Sequence, residues 1–422
     1  MEVALPYGTK TRIVIVPHDA VVVRSQPLAA LADPRAAFDA AIAHPISTPA
    51  LVDLVGPKDQ VAIVISDGTR PTPNYLLVPW LLKALAHIPR EQIVILVGTG
   101  SHRAMTQEEL RALLGDEVVA TIAVSNHDAT DASSLAFVGS TATGVPVWVN
   151  RQYLQAQVRI VLGFIEPHFF AGYSGGPKGV IPGLAGLPTI QALHSALLID
   201  HPGSTWMALD ENPIHQGMCA AVALCPPAFL INVTLNPQHQ ITGIFAGHYL
   251  QAHRAGCAVL ASTATGVDAG GFDVVVTTNA GYPLDQNLYQ SVKGMTAAAR
   301  LVRPDGAIIL VAECRDGLPA HSHYEHLLQQ ATSPGQLLEH LQSSEVTLPD
   351  QWQVQKQALV QQRARVFLHS SLPDPLVEAA LLTPAPDLQA AVHRLVTHMR
   401  GSSRVAVLPE GPMTAIQING NN

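Results

Sequence analysis

Cysteine is scarce in this chain: four residues in 422, at positions 219, 225, 257 and 314, with no CxxC pair among them. That spacing offers neither a disulfide framework nor a cysteine-built zinc site, so reduced, packed thiols of a cytoplasmic protein are expected. Charge is scarce as well, at 13% of residues, and the net value of −8 comes without any basic run. Nucleic acid and anionic membrane surfaces are therefore not expected partners. No apolar run reaches membrane-spanning length, because Pro79, Lys83 and other polar residues interrupt each candidate. The opening MEVALPYGTKTRIVIV has no basic segment leading into an apolar one, so no export signal is expected.

What the chain does have is apolar material, 48% of residues, enough for a large interior, and a length that suits about two or three domains. Short β-branched runs alternate with alanine- and leucine-rich stretches. RIVIVP (12–17), VAIVIS (61–66), IVILV (93–97), residues 118–124 and VRIVLGF (158–164) read as strands. VAIVIS has the unbroken apolar character of a strand covered on both faces. Residues 34–44, 75–87 and 106–114 read as helices. Asp33 precedes Pro34 as an N-cap, and Thr106 with Glu109 forms a capping box. Such alternation means open, mostly parallel sheets flanked by helices.

Sheets of that kind place ligands at the carboxyl ends of their strands. Three loops qualify. The first, Asp67-Gly68-Thr69-Arg70-Pro71-Thr72-Pro73, reads either as an anion or nucleotide-phosphate site, with Arg70 forking onto the anion, or as a proline-stiffened turn. The second, GTGSHR (98–103), begins like a dinucleotide fingerprint but lacks the third glycine, and puts His102 at a strand end.

The third loop dominates the sequence. From Gly163 it runs GFIEPHFFAGYSGGPKGVIPGLAGLPTIQALH to His194, dense in glycine and proline. Such density lets backbone approach a bulky ligand and keeps the loop stiff. His168, Lys178 and His194 stand along it in order, with Thr189–His194 reading as the first turns of a helix. Two histidines at strand ends suit acid/base work, since imidazole titrates near neutrality in either direction. Nineteen histidines in the chain, however, lower the weight of any single one. By its residue type Lys178 reads as a phosphate-binding lysine.

The later chain is less informative. FLINVTL (229–235) and residues 241–245 read as a hairpin, residues 272–278, 307–312, 366–370 and 405–409 as strands, and residues 415–422 as an unstructured tail. Cys314 reads as a packed thiol. His321, His323 and His326 read as a solvated helix start rather than a metal cluster.

DGTRP (67–71), GTGSHR (98–103), EPHFFAGYSGGPKGVIPGLAG (166–186), His194 and YQSVK (289–293) together resemble the nickel-dependent lactate racemase family, over essentially the whole chain. The long central segment is the specific match. The resemblance implies two α/β domains, 1–265 binding the cofactor and 266–422 following, with the active site in the cleft between them and the end of the chain packing back on the first domain. It implies nickel and a pyridinium-3,5-bisthiocarboxylic acid mononucleotide, the nickel pincer nucleotide. Lys178 would tether this group and His194 would ligate nickel. Asp67, Gly68, Thr69 and Arg70 would hold the nucleotide. His102 and His168 would be the proton donor and acceptor. Arg70, Tyr289, Gln290, Lys293 and Trp352 would bind substrate, Gln290 and Lys293 standing one helical turn apart.

The implied activity is interconversion of the enantiomers or C2 epimers of a 2-hydroxy acid such as lactate, by reversible hydride transfer through a bound 2-keto acid. Enzymes that make and load the cofactor would be partners. A hydrolase or lyase using the same histidines and lysine, or a protein that only captures a nucleotide, are the other readings of these residues.

Overall fold

The computed structural model describes residues 1–26, 28–268, 271–319, 323–344, 346–398 and 403–419. They form two compact units: Pro27–His194 with Pro202–Ser262, and Met1–Gln26 with Ser195–His201 and Thr263–Asn422. Among the described residues no helix is long and apolar enough to cross a membrane.

The first of these units is built on a six-stranded sheet. Its order is Ile241–Gly247, Phe229–Leu235, Val158–Phe164, Val61–Ser66, Ile93–Gly98, Ala123–Asn126. All neighbours run parallel except the hairpin Phe229–Leu235/Ile241–Gly247. Val61 to Ile65 are all buried, as a strand covered on both faces requires. After Val61–Ser66 the chain builds outward on one side through Ile93–Gly98 and Ala123–Asn126. It then returns to the other side with Val158–Phe164. That reversal makes the carboxyl ends of Val61–Ser66 and Val158–Phe164 the switch point at which open α/β sheets bind ligands.

Local signals set several helices as expected. Asp33 Oδ1 accepts the Ala36 N–H at 2.9 Å with Pro34 in the first turn of Pro34–Ala43. Thr106 and Glu109 form both halves of the capping box on Gln107–Leu114. Residues 118–124 depart from expectation. Gly115, at φ 86, starts a helix Asp116–Thr121, and the strand begins only at Ala123. Asp116 and Glu117 favour that first helical turn through the positive helix N-terminus, and this outweighs the β-branched pair Val118-Val119.

The second unit holds an all-parallel sheet in the order Thr383–Pro384, Ala364–His369, Val302–Val311, Phe272–Thr278, Val405–Leu408, Val21–Val22. Its membership differs from the expected 1–265 and 266–422 division. The hairpin Glu2–Tyr7/Lys10–Ile15 buries Val3, Leu5 and Val14 in the same core as Val274, Ile309 and Val407. RIVIVP is thus the outer arm of that hairpin and not a strand of a parallel sheet. Val21–Val22 adds an edge strand beside Val405–Leu408. Ser195–His201 is held from helix Gln351–Arg363, where Gln355 Nε2 donates to the Ala196 carbonyl at 3.0 Å and Lys356 Nζ to that of Ile199 at 2.9 Å. Ile416–Asn419, expected to be unstructured or to return to the first domain, pairs instead with Thr265–Asp268.

The glycine-rich segment is less irregular than its composition suggests. Pro167–His168 pairs with Gly172–Tyr173 as a short antiparallel ribbon, a 3-10 turn covers Gly176–Gly179, and helix Leu187–Leu193 follows. Several of its glycines are needed for protein packing on protein. A Cβ at Gly172 would overlap the Ala208 carbonyl oxygen, and the residue sits at φ +79. Gly172→Ala is therefore expected to cost about 2–4 kcal/mol and to lower the thermal unfolding midpoint. A melting curve that superimposes on the parent's would refute this account of Gly172.

Candidate active site

Asp67 ends the central strand and is buried. Its Oδ2 lies 2.7 Å from His102 Nδ1, and its Oδ1 accepts the Thr69 N–H at 3.1 Å together with the Thr69 hydroxyl. Burial opposes ionisation of this carboxyl, but His102 and then Arg70 hold it well below the usual carboxylate range. A carboxylate can only accept, so His102 donates from Nδ1 and Nε2 is the position at which the ring would exchange a proton. Each Asp67 oxygen thus already accepts from a group of the protein. His102 is half-buried and itself held by its N–H on the Thr99 carbonyl at 2.9 Å. Arg103, next in the chain, turns outward onto Glu109.

His168 lies buried in the ribbon after Val158–Phe164, with the rings of Phe169 and Phe170 at 4.9 and 4.5 Å from its own. Its Nδ1 accepts the Ala171 N–H at 3.2 Å. The neutral ring therefore carries its proton on Nε2, opposite to His102.

Arg70 sits with its Nε 3.1 Å from Glu166 Oε1, and its Nη1 donates to the Thr69 hydroxyl at 3.1 Å. Gly68 packs against Met105. Lys178 is partly covered, in the 3-10 turn, and among the described residues its amine makes no hydrogen bond or ion pair. Burial, then the like charge of Arg70, outweigh Glu166 and Asp67 and bring the amine down to about 7. His194, at the C-terminus of helix Leu187–Leu193, is buried and its Nδ1 donates to the Ile190 carbonyl at 2.7 Å. Burial, with Lys178 adding to it, lowers this imidazole to about 4, so it is neutral at physiological pH with its lone pair on Nε2.

The turn in front of Lys178 is gripped from beneath. Asn232 Oδ1, fully buried in Phe229–Leu235, accepts the Gly176 N–H at 2.8 Å, and His253 Nε2 donates to the Ser174 carbonyl at 3.0 Å. A Cβ at Gly176 would run into the His253 ring. Sequence reading missed Glu166, Ser174, Asn232 and His253. The one available signal was an asparagine inside the otherwise apolar run FLINVTL.

The remaining expected residues lie in the other unit. Helix Leu288–Ala299, capped by Asn287, carries Tyr289, Gln290 and Lys293, all buried. Lys293 Nζ donates to Gln290 Oε1 at 2.7 Å. Trp352 donates its indole N–H to the Tyr289 hydroxyl at 3.1 Å, and Tyr324 packs edge-on to the Tyr289 ring at 5.6 Å. Cys314 is fully buried beside Ser291. His323 opens a helix, His326 lies on the exposed side with Gln330, and His321 falls outside the described residues. Among the described residues no three His, Cys, Asp or Glu side chains are placed to hold a metal ion by themselves.

The sequence matches the Lactate racemase N-terminal domain over residues 7–207 and the Lactate racemase C-terminal domain over residues 267–416. It is 36% identical over 375 residues to a lactate racemase of Thermoanaerobacterium thermosaccharolyticum, covering 88% of each chain. To a lactate racemase of Lactiplantibacillus plantarum it is 38% identical over 372 residues, covering 87% of each. The solved structure of the lactate racemase apoprotein from Thermoanaerobacterium thermosaccharolyticum superimposes with a TM-score of 0.90 at 32% identity, covering both chains entirely. A Thermotoga maritima protein at 18% identity and TM-score 0.73 shares the fold alone. The two domain matches, and the relatives that the chain follows over most of their length, establish that the chain belongs to the lactate racemase family.

Proposed function

We propose that this chain is an isomerase that interconverts the enantiomers of lactate or a closely similar 2-hydroxy acid. The observation that carries the reading is the pair of imidazoles held at Nδ1 in opposite senses, by the Asp67 carboxylate on His102 and by the Ala171 N–H on His168. His102 is oriented by Asp67 to take the hydroxyl proton at Nε2, and His168 is oriented by Ala171 to offer Nε2–H to a substrate oxygen. Racemisation needs one group to accept a proton and another to supply one, and the two exchange roles for the opposite enantiomer. To supply a proton His168 would act from its imidazolium form, with Nδ1 protonated and released from the Ala171 N–H, which lies 3.2 Å away in this structure. Within the other unit, Lys293 Nζ and Gln290 Oε1, bonded to one another at 2.7 Å, are a cation and an acceptor of the kind a 2-hydroxy acid would pair with.

The donor set also fits the nickel pincer nucleotide. The Lys178 amine, unpartnered among the described residues and poised near neutrality, would be its anchor. His194, with Nε2 as the lone-pair nitrogen, would be the single protein ligand to nickel. Gly68, Thr69 and Arg70 would hold the nucleotide part. When bound, that group would accept and return hydride at the substrate α-carbon. The protein's own part is to orient the acid, exclude water and move the hydroxyl proton.

Protein produced together with enzymes that synthesise the cofactor is expected to carry an adduct on Lys178 and one nickel, and to equilibrate L- and D-lactate from either side. Enantiomer-specific assay, intact mass and nickel analysis check this. Loaded protein that leaves both enantiomers unchanged would overturn the activity. Protein without adduct or nickel that still racemises would overturn the cofactor assignment.

A further inference from the structure

Glu166 stands where the three site-bearing segments of its unit meet. It follows the strand Val158–Phe164 and directly precedes Pro167 and His168. Its buried Oε1 takes the Arg70 guanidinium at 3.1 Å and the Ser174 hydroxyl at 2.9 Å. Its carbonyl accepts the Ser174 N–H at 2.9 Å. Ser174 in turn opens the turn that Asn232 and His253 hold from below and that leads into Lys178. One carboxylate thus fastens the Arg70 loop to the Lys178 turn, and its backbone closes the ribbon that carries His168.

We propose that Glu166 is a positioning residue that aims Arg70 at the anionic part of the bound nucleotide and fixes it in register with the Lys178 turn. An arginine recognises a phosphate or carboxylate through the planar geometry of its fork. A guanidinium pinned at Nε presents its remaining N–H groups in one direction, whereas an unpinned one samples many rotamers and loses affinity in doing so. The negative charge also offsets Arg70 beside the Lys178 amine, two cations that otherwise repel each other in a largely covered site. This inference rests on the reading of Arg70 as an anion contact of the cofactor.

The test measures binding of nicotinic acid mononucleotide, a pyridinium carboxylate with a phosphate, to the cofactor-free full chain by calorimetry. Arg70→Met, Glu166→Ala and the double variant complete a cycle. Glu166→Ala is expected to weaken the probe about tenfold or more in the parent, the scale of a lost charge-assisted contact, and to have no further effect once Arg70 is methionine. A purely structural Glu166 would weaken binding equally in both backgrounds, and that result would overturn the proposal, as would parental affinity in Glu166→Ala. If Arg70→Met binds as the parent does, the anion-contact reading of Arg70 fails first and the proposal falls with it. Should the alanine variant not fold, Glu166→Gln, which keeps an acceptor for Ser174 but removes the charge, carries the same cycle with the same criteria.

Discussion

Replacing Lys178 by methionine is expected to give a folded protein that carries no covalent cofactor, retains no nickel and shows no racemisation above background. Folding should survive because the amine makes no hydrogen bond or ion pair among the described residues, and Arg70 repels it. Removing an incompletely compensated cation from a partly covered position is neutral or stabilising rather than costly. Chemistry should not survive, because attachment needs a nucleophilic amine at this position. Arginine is no substitute, since a guanidinium stays protonated at any accessible pH. The sign of the pH effect follows from the lowered value. With the amine brought down from 10.5 to about 7, the nucleophilic form dominates above pH 7 and is lost below it. Loading of the parent should therefore slow as pH falls through that point. The checks are intact mass, nickel content, thermal melting and enantiomer assay of Lys178→Met and Lys178→Arg. A Lys178→Met protein racemising at the parental rate would end the anchor assignment.

His102→Ala should keep its adduct and nickel but lose about 10²–10⁴-fold in turnover, the usual worth of a positioned acid/base. Asp67→Asn is the sharper variant. If Asp67 works through His102, an asparagine that no longer fixes the Nδ1–H tautomer should lower kcat substantially, leave cofactor content intact, and add nothing to His102→Ala. If Asp67 instead held the nucleotide, Asp67→Asn would lose cofactor, and the loss would persist in the His102→Ala background. The geometry favours the first outcome, since His102 and Thr69 take both carboxylate oxygens.

Much of this protein was settled by short stretches of sequence. VAIVIS and VRIVLGF could hardly be other than covered strands, Asp33-Pro34 and Thr106 with Glu109 start helices where such residues do, and the three strand-end loops were visible as interruptions of apolar runs. These are local matters of backbone propensity, periodicity and capping, decided by residues within a turn of each other. The positions of His102, His168, Lys178 and His194 in those loops were legible for the same reason.

Partnership was not legible. Asp67 belongs to His102, 35 residues away, and Lys178 rests on a turn held by Asn232 and His253. Glu166 looked like the end of a strand, yet it bridges Arg70 and Ser174. The N-terminal hairpin, Val21–Val22 and Ser195–His201 carry no local mark of the unit they join. Which strand pairs with which, and which buried carboxylate finds which cation, depends on the global minimum of burial and hydrogen bonding across distant segments. The sequence by itself determined most of the elements and put the candidate residues at strand ends. The tertiary structure alone decided which of them meet, because only folding brings distant groups within the few ångströms over which hydrogen bonds and charges act.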